Sequence, residues 1–269
     1  MSLGGTGGDK PSEMEVATAA ARAAGEVLSG FFGTDYTVRS KESYNLVSDA
    51  DVQAERAIVE VIRQTYPEHA ILGEEEAKGD TTADDLWVID PLDGTNNFVH
   101  AIPHFAVSIA YCHRGAAQCG VVFNPIRNDW YTAMRGQGAQ VNGQPARATS
   151  AEKLTEVLVG LGFYYDRGTM MEATLSAMRE LFQAHVHGIR RMGTASLDLC
   201  QVGCGMYGAF FEYELAPWDF AAGVLFVEEA GGRVSDCRGN KLPLARTSLL
   251  ASNGLLHGEV QKIVGKNCP

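Results

Sequence analysis

The sequence has no run of about 18 consecutive apolar residues, the length a helix needs to cross a bilayer. Its opening, MSLGGTGGDK, lacks the basic-then-apolar order of a secretory signal. Nothing in it directs the chain into or across a membrane, and a cytoplasmic location is the expectation. Positive charge is scarce: 22 Lys and Arg stand against 33 Asp and Glu, a formal net charge of -11. Nucleic-acid backbones are bound by clustered Lys and Arg, so this balance argues against nucleic acid as the main ligand. The six cysteines include no C-x-x-C pair and no histidine at zinc-ligand spacing, which points to reduced thiols. Cys200 and Cys204, one turn apart on an expected helix, read as small core residues. Internal repeats and low-complexity blocks are absent from the body of the chain.

What remains is a chain of 269 residues, 45% of them hydrophobic, enough to bury a substantial core. Residues 1–11 read as a disordered leader. Ser12 and Glu15 form a capping box, and the spacing of Met14, Ala17, Ala20, Ala21, Ala24, Val27 and Leu28 predicts a helix that stops at Gly30. Ser48 and Asp51 open a second helix, closed by Tyr66-Pro67. Short apolar runs at 70–72, 87–89, 105–111, 120–123 and 130–133 predict strands, and Asn142-Gly143 has the chemistry of a tight hairpin turn. Beyond Ser150, strands at 157–159, 210–211, 233–234 and 249–250 alternate with helices near 172–184, 194–203, 218–230 and 257–264. The expected organisation is an N-terminal α+β half over 12–147 carrying most of the candidate metal ligands. A C-terminal α/β half over 148–269 carries Asp219, with a cleft between the halves.

The most informative stretch is Trp87-Val88-Ile89-Asp90-Pro91-Leu92-Asp93-Gly94-Thr95, an apolar strand that runs into two carboxylates, a turn and a hydroxyl. Pro91 biases Asp90 towards an extended conformation, and Gly94 lets the backbone bend and leaves room for a ligand against its amide. Carboxylates about 4 Å apart repel by roughly 4 kcal/mol at an effective dielectric near 20, so protons or a cation must sit among them. Oxygen-only donors, including the Leu92 carbonyl, suit a hard ion such as Mg2+, which shares its coordination with substrate phosphate. Taken alone the string fits an Asx-type turn equally well. Gly73-Glu74-Glu75-Glu76 after another strand, and Asp219 at the start of an expected helix, shift the balance towards a metal site.

Together with Asn45-Leu46-Val47-Ser48-Asp49-Ala50-Asp51, Arg190-Arg191-Met192-Gly193-Thr194-Ala195, Trp218-Asp219-Phe220-Ala221-Ala222-Gly223 and Glu229-Ala230-Gly231-Gly232, these motifs resemble the inositol monophosphatase family, in its order and approximate spacing from about residue 12 onward. The resemblance implies a layered αβαβα sandwich of the sugar-phosphatase type, with mixed sheets between helix layers. It implies a lithium-sensitive, Mg2+-dependent phosphatase, commonly a homodimer, acting on a small phosphorylated polyol. Carried over by motif position, Glu74, Asp90 and the Leu92 carbonyl would hold one Mg2+, and Asp90, Asp93 and Asp219 a second. Asp51 would support a weaker third ion. Glu74 and Thr95 would help deprotonate the attacking water, and the amides of Gly94 and Thr95 would hold phosphate oxygens. Gly193, Thr194, Ala195 and Glu212 would contact the alcohol, next to Asp93 and Asp219. Asn96 departs from the Thr or Ser frequent at its position and Glu76 adds an acid, but neither removes a ligand.

Inositol monophosphate is the expected substrate. The alternatives are fructose 1,6-bisphosphate, a nucleotide 3'-phosphate or histidinol phosphate. The sequence alone identifies no adenine pocket and no extra basic residues for a nucleotide. A different class of role is open as well, because some bacterial relatives of the family are associated with transcription and RNA-processing complexes. Arg190-Arg191, otherwise a surface pair or dimer contact, is the local feature that would serve it.

Overall fold

The computed structural model describes residues 10–33, 38–42 and 45–269; residues 1–9, most of the expected leader, lie outside them. Lys10 and Pro11, its last two positions, are exposed, and each touches Tyr66. The Lys10 ammonium sits 3.8 Å from the centroid of the Tyr66 ring, and the Tyr66 hydroxyl donates to the Pro11 carbonyl at 2.8 Å.

Helix α1 (Glu13–Phe31) starts at the capping box, with the Glu15 amide donating to the Ser12 hydroxyl and the Ser12 amide to the Glu15 carboxylate. Its buried face is mostly alanine, which lets α2 approach closely. Two short strands, β1 (Val38–Glu42) and β2 (Asn45–Ser48), pair antiparallel before α2 (Asp49–Thr65). Their polar sequence carries no apolar alternation from which a hairpin would be expected. The acidic first turn of α2, Asp49 and Asp51, favours the helix start.

A seven-stranded sheet follows, built from β3 (Ala70–Gly73), β4 (Asp85–Asp93), β5 (Ala106–His113), β6 (Ala116–Asn124), β7 (Asp129–Met134), β8 (Gly138–Val141) and β9 (Gln144–Pro145), in that spatial order. Only β3 and β4 run parallel within it. A single-turn helix, α3 (Thr95–Val99), follows β4. Asn142 and Gly143, at φ of 50° and 77°, make the two-residue turn between β8 and β9.

The second sheet has the order β11-β10-β12-β14-β13, with β10 (Leu158–Leu161), β11 (Gly188–Arg190), β12 (Ala209–Leu215), β13 (Arg233–Ser235) and β14 (Thr247–Ser252). Strand β10 is parallel to both of its neighbours. The helices between these strands are α4 (Thr169–Gln183), α5 (Ala195–Gly203), α6 (Pro217–Glu229) and α7 (His257–Asn267).

Helices α1 and α2 cover one face of the seven-stranded sheet, and α5 and α6 lie between the two sheets. Helices α4 and α7 cover the far face of the five-stranded sheet. The layering is therefore αβαβα with two mixed sheets, and each of the four interfaces has its own apolar core. Gly223 of α6 shows how tightly the central layer packs. A Cβ there would stand 2.7 Å from Leu199 of α5.

Among the described residues four strand pairings carry a register shift, and two of these shifts bear on the cavity described below. Between Asp90 and Asp93, β4 advances three residues while β5 advances two, from Ser108 to Ala106. The same irregularity falls between Glu212 and Leu215 of β12. The apolar run predicts a strand over 87–89. The strand instead continues to Asp93, because a bulge tolerates a residue without an N–H.

At the far side of the molecule, His257 at the start of α7 is 2% exposed. Its two ring nitrogens lie 2.9 Å from the hydroxyls of Ser235 and Ser252, which ties α7 to the ends of β13 and β14. Burial, and then the Arg233 charge, push its pKa from 6.5 down to about 4. The unfolded chain takes up this proton first, so the stability from the neutral ring is present above pH 6.5 and lost as pH falls towards 4. From pH 7 to pH 4 that loss is about 3 kcal/mol. Denaturant unfolding of wild type and His257→Gln at the two pH values checks this. The variant should lose less stability on acidification, and equal losses would contradict it.

Candidate active site and metal centre

The bulge in β4 sets the geometry. Residues three apart on a regular strand point to opposite faces, so Asp90 and Asp93 would separate; one extra residue restores the phase and turns both towards the same side. Asp90 is buried, and its Oδ1 accepts the Leu92 amide at 3.0 Å. The Asp93 Oδ2 accepts the amide and the hydroxyl of Ser196, at 2.7 and 2.6 Å. Those two bonds clamp the end of β4 to the first turn of α5. Thr95 donates its hydroxyl to the Leu92 carbonyl at 3.1 Å, closing the turn after the strand.

Gly94 has two reasons to be glycine. Its φ is +95°, and a Cβ would overlap the Thr194 hydroxyl. That hydroxyl donates to the His104 carbonyl at 2.9 Å. The Asn97 amide reaches the same carbonyl at 2.7 Å and the Met192 carbonyl at 2.9 Å, so one side chain holds the Gly193–Ala195 segment against the turn. Asp219 occupies the first turn of α6 and accepts the Ala216 amide at 2.6 Å. Ser108, directly across from Asp90, donates to the Trp218 carbonyl at 3.3 Å and fixes that helix start to the sheet.

Glu74 is placed by a residue that the sequence motifs do not point to. Glu55, buried on α2, accepts the amides of Glu75, Glu76 and Ala77 at 2.8, 2.6 and 2.7 Å. Three bonds to one carboxylate hold the glutamate turn in shape. Gly73 is needed beside it, since a Cβ would stand 2.5 Å from Glu55 Oε2. The signal was present in the sequence as an acid among Ala54, Ile58 and Ile62, on the helix face that carries Asp51 four residues earlier. Glu76 turns away to an exposed ion pair with Arg56 at 2.8 Å.

These elements enclose a cavity of about 180 Å³. Glu74, Asp90, Leu92, Asp93, Gly94 and Thr95 line it from the first sheet, and Gly193, Thr194, Ala195, Glu212 and Asp219 from the later part of the chain. Asp51 is not on its wall. It is buried behind it, with one carboxylate oxygen within 4.8 Å of oxygens of Glu74 and Glu75. The tightest carboxylate trio is thus Asp51, Glu74 and Glu75, and the motifs assign Glu75 no role. Arg191, expected at the surface or a dimer contact, is exposed but lines the cavity, as do Arg246, Tyr165 and Trp218. Arg191 and Trp218 stand within the motifs but carried no place in the expected site, and Arg246 and Tyr165 stand in none of them.

Electrostatics define the site's character. Burial raises the pKa of Asp90 well above the usual carboxylate range, and Glu74, Asp93, Asp219 and Asp51 add repulsion. Burial raises Asp219 as well, with Glu74 and Asp93 contributing. Burial brings Asp93 to about 6 against the opposing hydrogen bonds from Ser196. Glu212 is pushed up to about 8 by burial, which the Arg191 charge opposes. So many carboxylates cannot ionise together without a counter-charge. Their donors are oxygens only, from carboxylates and the Leu92 carbonyl, and among the described residues no Cys or His lines the cavity. The set fits a hard divalent cation such as Mg2+.

Residues 10–267 match the sequence model of the Inositol monophosphatase family. The chain is 43% identical over 250 residues to the Nus factor SuhB of Pseudomonas aeruginosa, covering 89% of this chain and 91% of that protein. Among solved structures it superposes on an inositol monophosphatase from Anabaena (Nostoc) sp. PCC 7120 with a TM-score of 0.85 and 35% identity, over 95% and 96% of the two chains. It also superposes on the extragenic suppressor protein suhB from Bartonella henselae, with a TM-score of 0.89 and 36% identity over 94% and 98%. With the layered fold and the acidic cavity between its sheets, these likenesses establish that the chain belongs to the inositol monophosphatase family of phosphatases.

Proposed function

We propose that this chain hydrolyses inositol monophosphate to inositol and inorganic phosphate, with two to three Mg2+ ions as cofactor. The observation that carries the reading is the convergence of Glu74, Asp90, Asp93 and Asp219, from three separate stretches of sequence, on one cavity of about 180 Å³. Glu74, Asp90 and the Leu92 carbonyl would hold one ion, and Asp90, Asp93 and Asp219 another. Asp51, with Glu75 beside it, would serve the third. When bound, Mg2+ supplies Lewis acidity, which makes water a usable nucleophile near neutral pH and stabilises the charge on phosphate and leaving group.

The chain's own residues do the rest. Glu74 and Thr95 orient the attacking water and draw off its proton, and the amides of Gly94 and Thr95 hold phosphoryl oxygens in line with it. Glu212 accepts hydrogen bonds from hydroxyls of the alcohol, against a wall formed by Gly193, Thr194 and Ala195. The same reading carries inhibition by lithium, a homodimer and a cytoplasmic location. Arg191 and Arg246 at the cavity supply basic groups that the sequence had not located. A substrate panel must therefore include fructose 1,6-bisphosphate, nucleotide 3'-phosphates and histidinol phosphate beside inositol 1-phosphate.

A second reading is favoured by the name of the Pseudomonas relative: a role like that of a Nus factor, independent of hydrolysis. Arg191→Ala would not separate the two readings cleanly, because Arg191 lines the cavity. Asp93→Asn does. It should lower kcat/KM for inositol 1-phosphate by more than about 100-fold, with circular dichroism unchanged and melting in EDTA still cooperative. Retained activity would contradict the ligand assignment. Complementation of a bacterium lacking its SuhB by that inactive variant would support the second reading over the first.

Chelation gives a further outcome. Asp93 and Glu212 have folded pKa values of about 6 and about 8, above their ordinary 3.8 and 4.5. The folded protein without Mg2+ therefore holds protons that the unfolded chain releases. Stability from these groups is full below pH 4 and is lost as pH rises through 6 and then 8. In EDTA the melting temperature should fall from pH 6 to pH 8, and Mg2+ should raise it more at pH 8 than at pH 6. A Mg2+ effect of equal size at both pH values would contradict this.

A further inference from the structure

Asp198 lies in the first turns of α5 and is 1% exposed, yet it lines the same cavity. Its backbone amide donates to the Thr194 carbonyl at 2.9 Å, the ordinary helical bond. Its Oδ1 has no hydrogen-bond partner. A buried polar atom left in that state costs about 1–3 kcal/mol, more if charged. An apolar residue of similar volume would carry no such cost on a helix whose other buried members include Leu197, Leu199 and Val202.

The surroundings show what the unpartnered atom faces. Asp198 raises the pKa of Glu212 on β12, and the Arg191 charge acts on both carboxyl groups. Arg191 is folded back over Gly193, where a Cβ would overlap its guanidinium. Two buried carboxyl groups from different elements thus line the cavity with Arg191. The phosphoryl side is the Gly94 turn. Asp198 Oδ1 meets no donor in the protein, and the residue stands in the cavity wall, where a bound alcohol brings donors.

We propose that Asp198 is a specificity-determining residue that hydrogen-bonds a hydroxyl of the substrate's alcohol portion beside the one held by Glu212, so that the site selects phosphate esters of vicinal polyols. Either protonation state of the carboxyl can make the bond, because a hydroxyl both donates and accepts. Two carboxyl groups side by side match two neighbouring hydroxyls, and an ester without hydroxyls gains nothing from them. The assignment rests on the phosphatase reading of the site.

The test compares inositol 1-phosphate with 4-nitrophenyl phosphate, which has no hydroxyl to offer, in Mg2+ with wild type, Asp198→Ala and Asp198→Asn. Asp198→Ala should raise KM for inositol 1-phosphate roughly tenfold, the size of one lost buried hydrogen bond. Its kcat, and its kcat/KM for 4-nitrophenyl phosphate, should stay within about twofold. Asp198→Asn keeps the shape and part of the hydrogen-bonding capacity and should give an intermediate rise, which decides the matter if Asp198→Ala does not fold. An unchanged KM in both variants, or equal losses on the two esters, overturns the assignment. Wild type inactive on every ester in Mg2+ would sink the phosphatase reading and this one together; an active wild type with unaltered selectivity in the variants would sink this one alone.

Discussion

Carboxylates repel, and water normally keeps them apart. In this chain Asp90 is buried, with Glu74, Asp93, Asp219 and Asp51 close enough to raise its pKa. Such a cluster is tolerable only where protons or cations neutralise it and where the backbone holds each acid by other means. Much of the surrounding architecture answers that requirement. Asp90 is held by the Leu92 amide, Asp93 by Ser196, Asp219 by the Ala216 amide and the glutamate turn by Glu55.

The same constraint explains why the site lies between the two sheets. The end of one bulged strand, the first turns of two buried helices and the end of a second bulged strand meet there, and each delivers backbone groups whose hydrogen bonds are not used up by sheet or helix. Helices α5 and α6 pack closely because a glycine on each meets a large side chain of the other, Gly203 against Phe226 and Gly223 against Leu199, which limits relative movement of Ser196 and Asp219. A cation site needs such stiffness, because small displacements of charged ligands at short range change their interaction energy steeply.

The cavity has two chemically different sides. The Gly94 turn offers backbone amides and a hydroxyl, suited to an oxyanion. The side formed by Glu212, Asp198 and Arg191 offers carboxyl groups and one counter-charge, suited to neutral hydroxyls. On the proposed function, that asymmetry would orient an ester with its phosphate towards the acids that would hold cations and its alcohol towards β12. It is also where members of one family can differ in substrate while sharing the phosphoryl machinery, since the two sides come from different segments of the chain.

Much of the fold was legible in the sequence. The Ser12 to Glu15 capping box, the alanine stripe of α1, the apolar runs of the first sheet and the Asn142-Gly143 turn all state their structure locally, because capping, periodicity and turn chemistry act between residues a few positions apart. Strands β1, β2 and β11 were not legible, since they are short and draw their stability from partners rather than from their own pattern. Motif positions Glu74, Asp90, Asp93 and Asp219 could be named as an acidic set in advance. The phase shift in β4 that turns two of them the same way, the clamp by Glu55, the place of Asp51 behind the wall and the arrival of Arg191 and Asp198 at the cavity could not. The sequence by itself determined which residues carry charge and which segments become helix or strand. Tertiary structure alone decided which charges meet, because a bulge, a helix start and a buried carboxylate acquire their direction only from the element packed against them.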